Sequence, residues 1–304
     1  MHFADIGQYL TPADLLVFND TRVYPARLAA ETPAGKKTEI LFLRPLAADR
    51  WEALIRGRVT GPLRLADGAV ATPIDRRGAG LWVVTVSLPP GDADLYAFLD
   101  RHGEVPLPPY ILKRRGKPAD AADRERYQTV YAEAVGSAAA PTAGLHFTPT
   151  LLDDLRRSGV RMATVTLHIG LDTFRPIQVA RLEEHPMHRE RFFVPPATVT
   201  AIRATRDRGG RVIAVGTTVV RALSSCARPD GAIDAGAGET NLYITPGFRF
   251  LAVDALITNF HLPKSTLLVL VSAFAGREPI RALYEEAIRR RYQFFSYGDA
   301  MLIL

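Results

Sequence analysis

The sequence predicts an α/β fold, with a mixed or mostly parallel sheet domain and an inserted small antiparallel β-barrel. Two observations predict the sheet. Apolar runs such as 160–167 and 211–216 alternate with segments of helical periodicity, and glycine or hydroxyl residues follow several of these runs. A third observation predicts the barrel, because residues 24–87 form short alternating runs separated by turn residues.

Composition limits the class of protein. The chain has 304 residues, of which 47% are hydrophobic, enough for one large core or two modest ones. Its single cysteine, Cys226, excludes an intramolecular disulfide and suits a reducing compartment, and no apolar run is long enough to cross a membrane. We therefore expect a soluble, cytoplasmic, monomeric protein without a membrane partner.

The net charge of +6 suits an anionic partner such as RNA, because phosphates attract Lys and Arg whatever the base sequence. Most of the basic residues are arginines, however, and an excess of Arg, Ala and Pro can equally reflect genome composition. Charge alone therefore leaves nucleic-acid binding open.

The first predicted strand covers 14–19 and ends in polar residues. One interpretation is an Asx-type turn in which Arg22 pairs with Asp20. The other is a ligand site that Asp20 and Arg22 face, because charged groups directly after a buried strand need a partner. We favour the ligand site.

The predicted barrel occupies 24–91, so that the α/β domain consists of 1–23 and 92–304. Six short strand-like runs fill the inserted segment, and helical periodicity resumes only at 92–101. Nothing in the sequence of the barrel identifies a binding face.

Residues 106–111 (PLPPYI) are predicted to be an extended connector, because each proline lacks an N–H donor and favours extended structure before it. The basic cluster Lys113, Arg114 and Arg115 follows, with Tyr127 beyond it. Basic groups neutralise phosphates and tyrosine rings stack on unpaired bases, so these four residues are candidates for an RNA contact. The alternative is a solvated loop.

The middle of the chain is richest in residues suited to chemistry. A helix is predicted after the N-cap residue Thr148, and a strand at 160–167. His146 and His168 lie beside glycines at the edges of these elements, where ligands bind in open α/β sheets. An imidazole can exchange a proton near neutral pH, although a lone histidine is more often structural. The nearby candidates for substrate contact are Thr142, Gly144, Gly170, Thr173 and Arg175.

His185, His188 and Glu190 resemble a set of metal ligands. Pro186 argues against that interpretation, because it disfavours the regular helix that would align two histidines, and no cysteine or third histidine is near in sequence. We expect no metal, and we predict that His185 and His188 contact the substrate or belong to an ion-paired loop.

Two strand–turn–helix motifs follow. In the first, Thr217 and Thr218 open a helix after 211–216, where free amides and the helix dipole attract anions. Arg221, one turn further on, is predicted to reinforce this anion site. Simple N-capping explains Thr217 as well. The glycine-rich segment 228–240 is expected to be a flexible loop.

In the second motif, Asn259, His261 and Lys264 lie in the loop before a helix predicted at 266–275, which Ser265 caps. A lysine at a helix start suits a carboxylate such as that of methionine. The chain then continues through a predicted helix, an aromatic segment and a final buried strand. Tyr297 and Asp299 lie in the aromatic segment.

Several long motifs together resemble the S-adenosylmethionine:tRNA ribosyltransferase-isomerases of queuosine biosynthesis. They are, in chain order, DLLVFNDTRVYPARL, PTAGLHFT, TLHIGLDTFRP, HPMHRE, AVGTTVVRAL, ITNFHLPKSTLL and FFSYGDAMLI. The resemblance runs from Asp14 to the C-terminus. Members of the family carry a longer segment before the first motif, which thirteen residues precede here.

The resemblance implies an α/β domain with a small β-barrel. It also implies transfer and isomerisation of the ribosyl part of S-adenosylmethionine onto the 7-aminomethyl-7-deazaguanine base of a tRNA anticodon loop, giving epoxyqueuosine, adenine and methionine. S-adenosylmethionine is then a substrate, and no cofactor is expected. Such chemistry needs proton transfer, for which His146, His168 and His261 are candidates, and Asp20 and Asp299 could face the sulfonium.

Two rival functions explain part of the sequence. A non-catalytic RNA-binding protein accounts for the charge and the barrel, but has no need of polar, glycine-flanked loops after several buried strands. A histidine-dependent hydrolase or transferase of small metabolites accounts for those loops without RNA.

Overall fold

The structure is a computed structural model that describes residues 2–57, 59–78, 80–116, 119–120, 122–170, 173 and 176–304, with only the backbone at 109, 113 and 114. The chain divides into two compact units. The first comprises Met1–Thr21, Gln128–Ala134 and Ala140–Leu304, and the second comprises Arg22–Tyr127 and Val135–Ala139.

The strands are, in chain order, β1 (Leu15–Asn19), β2 (Thr21–Val23), β3 (Arg27–Glu31), β4 (Lys37–Pro45), β5 (Arg50–Ile55), β6 (Leu63–Arg64), β7 (Val70–Arg76), β8 (Leu81–Ser87), β9 (Ala134–Ser137), β10 (Arg161–Leu167), β11 (Glu190–Val194), β12 (Val212–Val215), β13 (Gly236–Thr240), β14 (Ala255–Asn259) and β15 (Ala300–Ile303). The α-helices are α1 (Leu95–His102), α2 (Pro109–Arg115), α3 (Asp123–Arg126), α4 (Pro149–Arg157), α5 (Pro196–Asp207), α6 (Thr217–Ser225), α7 (Thr266–Ala275) and α8 (Arg277–Arg289).

The first unit is built on a seven-stranded sheet in the order β13-β11-β10-β1-β12-β14-β15. Its four central strands, β10, β1, β12 and β14, are parallel, and the outer three are antiparallel to their neighbours. Every residue of β1, β12 and β14 is buried, as expected of parallel strands covered on both faces. Of the two predicted types, mixed or mostly parallel, the structure confirms a mixed sheet.

The register of this sheet decides where the polar residues lie. Asn19 pairs with Val165 across β1 and β10, and Val215 pairs with Ile257 across β12 and β14. The four parallel strands therefore end at one edge of the sheet, and the segments that follow them begin side by side. This carboxyl edge is where ligands bind in open α/β sheets.

The second unit contains the predicted barrel, a closed antiparallel arrangement in the order β3-β4-β5-β8-β7-β6. The unit is longer than the segment 24–91 expected from the sequence. Leu95, Phe98 and Leu99 of α1 belong to the same hydrophobic core as the barrel residues Phe42 and Trp51, so burial of apolar surface binds this helix to the barrel.

Local sequence signals set many of the boundaries. The hydroxyl of Thr148 accepts a hydrogen bond from Leu151 N and caps α4, which begins at Pro149 as predicted. Ser265 caps α7 in the same way, through Leu268 N.

Two expectations about irregular segments are wrong. Pro109 is the first residue of helix α2 rather than part of an extended connector, because a proline at that position needs no N–H partner. In the segment expected to be a flexible loop, β13 forms an edge strand, because strand β11 offers it a ladder of backbone partners that the sequence does not reveal.

In the described part of the chain, no helix combines the length and the apolar character needed to span a bilayer.

Candidate active site

Asn19 joins three elements at the carboxyl edge of the sheet. Its side chain is completely buried; Nδ2 donates to the carbonyl of Leu167 at 2.9 Å and to Oγ1 of Thr218 at 3.2 Å. Its Oδ1 accepts from the N–H groups of Leu167 at 3.0 Å and Thr21 at 3.2 Å. One amide thus fixes the ends of β1 and β10 and the start of α6, which is why a polar residue ends a fully buried strand.

His168 follows β10 directly and is half-buried. Its Nδ1 lies 2.8 Å from Oγ1 of Thr21, and its backbone N–H donates to the carbonyl of Arg191 at 2.9 Å. Burial, and next the positive charge of Arg191, lower the pKa of His168 to about 4. At neutral pH the imidazole is uncharged, the form that can accept a proton.

Asp20 directly precedes Thr21, the residue that contacts His168. Its Oδ1 accepts from the hydroxyl of Thr166 at 2.6 Å. Burial, and then the charge of Asp20, raise the pKa of Tyr131. Among the described residues, no group lies within hydrogen-bond distance of the buried Tyr131 hydroxyl. Gly144 lies against that hydroxyl, since a Cβ on Gly144 would be 1.9 Å from Tyr131 Oη.

His146 belongs to a second cluster at the same edge. Its Nε2 lies 3.0 Å from Nδ2 of Asn259, whose Oδ1 accepts from the hydroxyl of Thr142 at 2.9 Å. The ring of Phe3 stacks on the imidazole at 4.8 Å. Burial lowers the pKa of His146, and the nearby carboxylate of Asp299 opposes that shift.

A cavity of about 350 Å³ opens beside His146 in the first unit. Aromatic rings, the imidazole of His146, the carboxylate of Asp299 and the edge strand β15 line it. Asp299 is fixed by the N–H of Gln293, which donates to Oδ2 at 2.6 Å. His146 and Asp299, two of the predicted site residues, therefore line one cavity.

His261 lies on the other side of the sheet from His146. Its Nε2 is 3.0 Å from Oγ1 of Thr258, the residue before Asn259 in β14, and successive strand residues point to opposite faces. Its backbone N–H donates to the hydroxyl of Tyr284 at 2.7 Å. Burial lowers the pKa of His261 to about 3. The structure does not bring the three candidate histidines together.

The turn before α6 leads directly into a helix start, where backbone N–H groups attract anions. Gly216 has φ +99, a conformation that favours glycine, and Thr217 and Thr218 follow as the first buried residues of the helix. Arg221 does not reinforce this site, contrary to prediction. Its guanidinium binds the carboxylate of Glu190, because a buried cation requires a counter-charge.

Glu190 contacts several groups at this edge that the sequence does not predict. The sequence suggests it only as a metal ligand, which Pro186 argues against. It is 4% exposed at the start of β11. Its Oε1 accepts from Gly170 N at 3.1 Å and Thr173 Oγ1 at 3.0 Å, and His188 Nε2 lies 3.2 Å away. The available signal is an acidic residue directly before the strand-like run RFFV, a position where an unpaired charge is not stable.

Lys264 and Ser265 line a second cavity, of about 710 Å³, whose walls are mostly apolar. Lys264 has φ +59, an unusual conformation for a residue with a side chain. The hydroxyl of Ser265 accepts from Leu268 N and donates to the carbonyl of Leu262, so capping occupies it. Lys264 is left as the exposed cation of this helix start.

The remaining predicted contacts are dispersed. Arg22 is exposed, the ring of His185 packs on Tyr243 at 5.4 Å, and Tyr297 is 47% exposed. Arg175 lies outside the described residues. Within the described part, no three histidine, cysteine or carboxylate side chains are arranged to hold a metal ion.

Two of the four predicted RNA contacts are occupied by intramolecular interactions. Arg115 makes 2.7 Å hydrogen bonds to both carboxylate oxygens of Asp123, and the ring of Tyr127 is fully buried, so it has no face on which a base could stack. Lys113 and Arg114 lie in helix α2, with side chains outside the described part.

Comparison with known proteins agrees with the resemblance drawn from the sequence. The profile of a family described as queuosine biosynthesis protein matches residues 1–303. The S-adenosylmethionine:tRNA ribosyltransferase-isomerase of Geobacter sulfurreducens is 54% identical over 307 residues, which cover 99% of this chain and 88% of that protein. The protein of the same name from Moorella thermoacetica is 52% identical, with 100% and 88% covered. The crystal structure of S-adenosylmethionine tRNA ribosyltransferase from Thermotoga maritima is 36% identical, with a TM-score of 0.51 over 99% of this chain and 86% of that one.

Proposed function

The chain belongs to the queuosine biosynthesis protein family, and we propose that it acts as an S-adenosylmethionine:tRNA ribosyltransferase-isomerase. The observation that carries this proposal is the match of nearly the whole chain to relatives at about half identity. The carboxyl edge of the sheet supports the proposal, because His146, His168 and several hydroxyl side chains lie there.

The reaction moves the ribosyl part of S-adenosylmethionine to the aminomethyl group of a 7-deazaguanine base in tRNA, with rearrangement to the epoxyqueuosine ring system. Adenine and methionine leave. A base must remove the acidic proton beside the sulfonium, a hydrogen-bond donor must assist adenine, and the amine of the RNA base must be neutral when it attacks.

His168 is our candidate for the base. Its imidazole is neutral at physiological pH and only half-buried, and Thr21 fixes its orientation through Nδ1. Asp20, which precedes Thr21 in the chain, is our candidate for the negative charge that faces the sulfonium. His261 fits proton transfer less well, because it is buried and bonded to Thr258.

His146 is our candidate for the group that meets the leaving adenine. It faces a cavity together with Asp299, and Asn259 fixes its ring. Lys264 suits the methionine carboxylate, since it is an exposed cation at the start of α7 beside an apolar cavity. Thr217 and Thr218, at the start of α6, remain candidates for an anionic group of either substrate.

The substrates of the proposed reaction are S-adenosylmethionine and the anticodon loop of a tRNA that carries the 7-deazaguanine precursor. We propose further that the protein works as a cytoplasmic monomer and that S-adenosylmethionine is consumed as a substrate, with no additional cofactor.

The test is to incubate the protein with S-adenosylmethionine and precursor tRNA, and to measure free adenine and the modified nucleoside by liquid chromatography. Formation of both supports the proposal. RNA binding without adenine release would indicate a non-catalytic RNA-binding protein. Turnover that requires no tRNA and does not change with salt concentration would indicate an enzyme that acts on small metabolites.

A further inference from the structure

The two carboxylate oxygens of Glu190 bind different parts of the first unit. Oε2 binds the guanidinium of Arg221 in helix α6. Oε1 accepts from the N–H of Gly170 and the hydroxyl of Thr173, and His188 Nε2 lies 3.2 Å away. One oxygen therefore faces the helix, and the other faces the segment that follows strand β10.

That segment begins with His168. The carbonyl of Arg191, the residue after Glu190, accepts the backbone N–H of His168 at 2.9 Å. Gly170, held by Oε1, lies two residues further on. The start of β11 thus fixes this turn at two points, and a shift of Gly170 would turn the imidazole of His168 away from Thr21.

We propose that Glu190 is a positioning residue, whose Oε1 holds the turn 168–170 and Thr173 in the geometry that the reaction requires of His168. The inference rests on the proposed function, because it takes His168 to be a participant in the reaction. It also explains why the N–H of Gly170 and the hydroxyl of Thr173 both donate to one oxygen of an ion-paired carboxylate, when Arg221 alone would satisfy its charge.

The environment keeps Glu190 ionised. Its carboxyl is fully buried, which raises its pKa, but Arg221 and His188 more than offset that effect and bring the pKa to about 2. An ionised carboxylate accepts stronger hydrogen bonds than a neutral oxygen does, so it holds the turn firmly.

The test compares two double variants that both remove the ion pair. Glu190→Gln with Arg221→Met keeps an oxygen that can accept from Gly170 and Thr173, whereas Glu190→Met with Arg221→Met keeps none. Replacing both members of a buried pair is tolerated far better than removing one, so both variants should fold. We expect the variant with Glu190→Met to have a kcat about 100-fold lower than the variant with Glu190→Gln, because small misplacements of catalytic groups have effects of that size.

The KM for S-adenosylmethionine should change less than kcat in this comparison. Asp14→Asn is the matched control, because Asp14 is also a buried carboxylate paired with an arginine, Arg211 at 2.7 Å, but at the opposite edge of the same sheet. It should lower the melting temperature and leave the kcat of the folded protein unchanged.

Equal kcat in the two double variants would overturn the inference. Hydrogen exchange of the peptide that contains residues 168–170 gives a readout independent of activity. Exchange should be faster in the variant with Glu190→Met than in the variant with Glu190→Gln, and equal exchange would also count against the inference. If wild type releases no adenine, the proposed function fails, and the exchange comparison still decides whether Glu190 holds the turn. Should the variant with Glu190→Met not fold, Thr173→Val removes one donor to the same oxygen and should lower kcat about tenfold.

Discussion

His146 and His261 hydrogen-bond to adjacent residues of strand β14, and the two imidazoles therefore lie on opposite faces of the sheet. A single substrate can contact both imidazoles only if it extends past the end of β14 from one face of the sheet to the other. His146 shares its side with the cavity that contains Asp299, whereas His261 is enclosed by protein. This relationship separates a candidate catalytic histidine from a structural one.

The first prediction concerns the three histidines. His168→Ala and His146→Ala should each lower kcat about 10²-fold to 10⁴-fold, the usual contribution of a general acid or base, with S-adenosylmethionine binding retained. His261→Gln should instead lower the melting temperature and leave the kcat of the folded protein close to that of wild type. Single-turnover adenine release and calorimetry measure these effects. Unchanged rates in both alanine variants would exclude proton transfer by either residue.

The second prediction is a loss of stability in mild acid. The pKa of His261 is about 3 in the folded protein, below the ordinary value of 6.5, so the unfolded chain binds a proton between these values and the folded chain does not. The free energy of unfolding should therefore be constant above about pH 6.5 and fall by about 3 kcal/mol by pH 4 through this group alone.

Urea unfolding between pH 4 and 8 measures this dependence. His261→Gln should reduce the slope without abolishing it, because burial also lowers the pKa values of His168 and His146. The buried carboxyls of Asp14 and Glu190, whose pKa values are near 2, act in the same direction, but only below about pH 4.5. A slope between pH 5 and 6.5 that is identical in wild type and variant would contradict the role given to His261.

The third prediction concerns the close approach at Gly144. Gly144→Ala should destabilise the protein by about 1–3 kcal/mol, because the added Cβ would overlap the hydroxyl of Tyr131. Tyr131→Phe should be neutral or stabilising alone, since that buried hydroxyl has no hydrogen-bond partner among the described residues, and should restore part of the loss in the double variant.

Gly170→Ala is the control for that measurement, because a Cβ there meets no atom of the described residues within 4 Å. Denaturant unfolding measures the free energy of unfolding of Gly144→Ala, Tyr131→Phe, their double variant and Gly170→Ala. Additive effects of the substitutions at Gly144 and Tyr131 would show that the two residues do not compete for the same space.

The fourth prediction concerns Lys264. Lys264→Asn removes the charge and retains a residue that tolerates the positive φ, so stability should change little. The KM for S-adenosylmethionine should rise about tenfold or more, with a smaller change in kcat, if the ammonium binds the methionine carboxylate in both ground and transition states. Arg277→Met, at the same cavity, is the matched control and should leave KM unchanged. If the KM of Lys264→Asn equals that of wild type, Lys264 does not bind the methionine carboxylate.

Local patterns in the sequence are sufficient to predict most elements of the fold. The six runs between residues 24 and 87 become the six barrel strands, and Thr148 and Ser265 cap the helices they precede. These features follow from side-chain period and capping chemistry, which act over a few residues. Pro109 and strand β13 were assigned wrongly because their states depend on context beyond that range.

The sequence by itself determined the family resemblance, the type of sheet and the fact that polar residues follow its buried strands. Only the tertiary structure decided which of these residues meet. Arg221 binds Glu190 across 31 positions, and Asn259 meets His146 across 113. Such partners are set by strand register and by the face to which each side chain points, and a buried charge accepts whichever counter-charge the packing brings to it. No local pattern carries that information, because it arises only when distant strands pair.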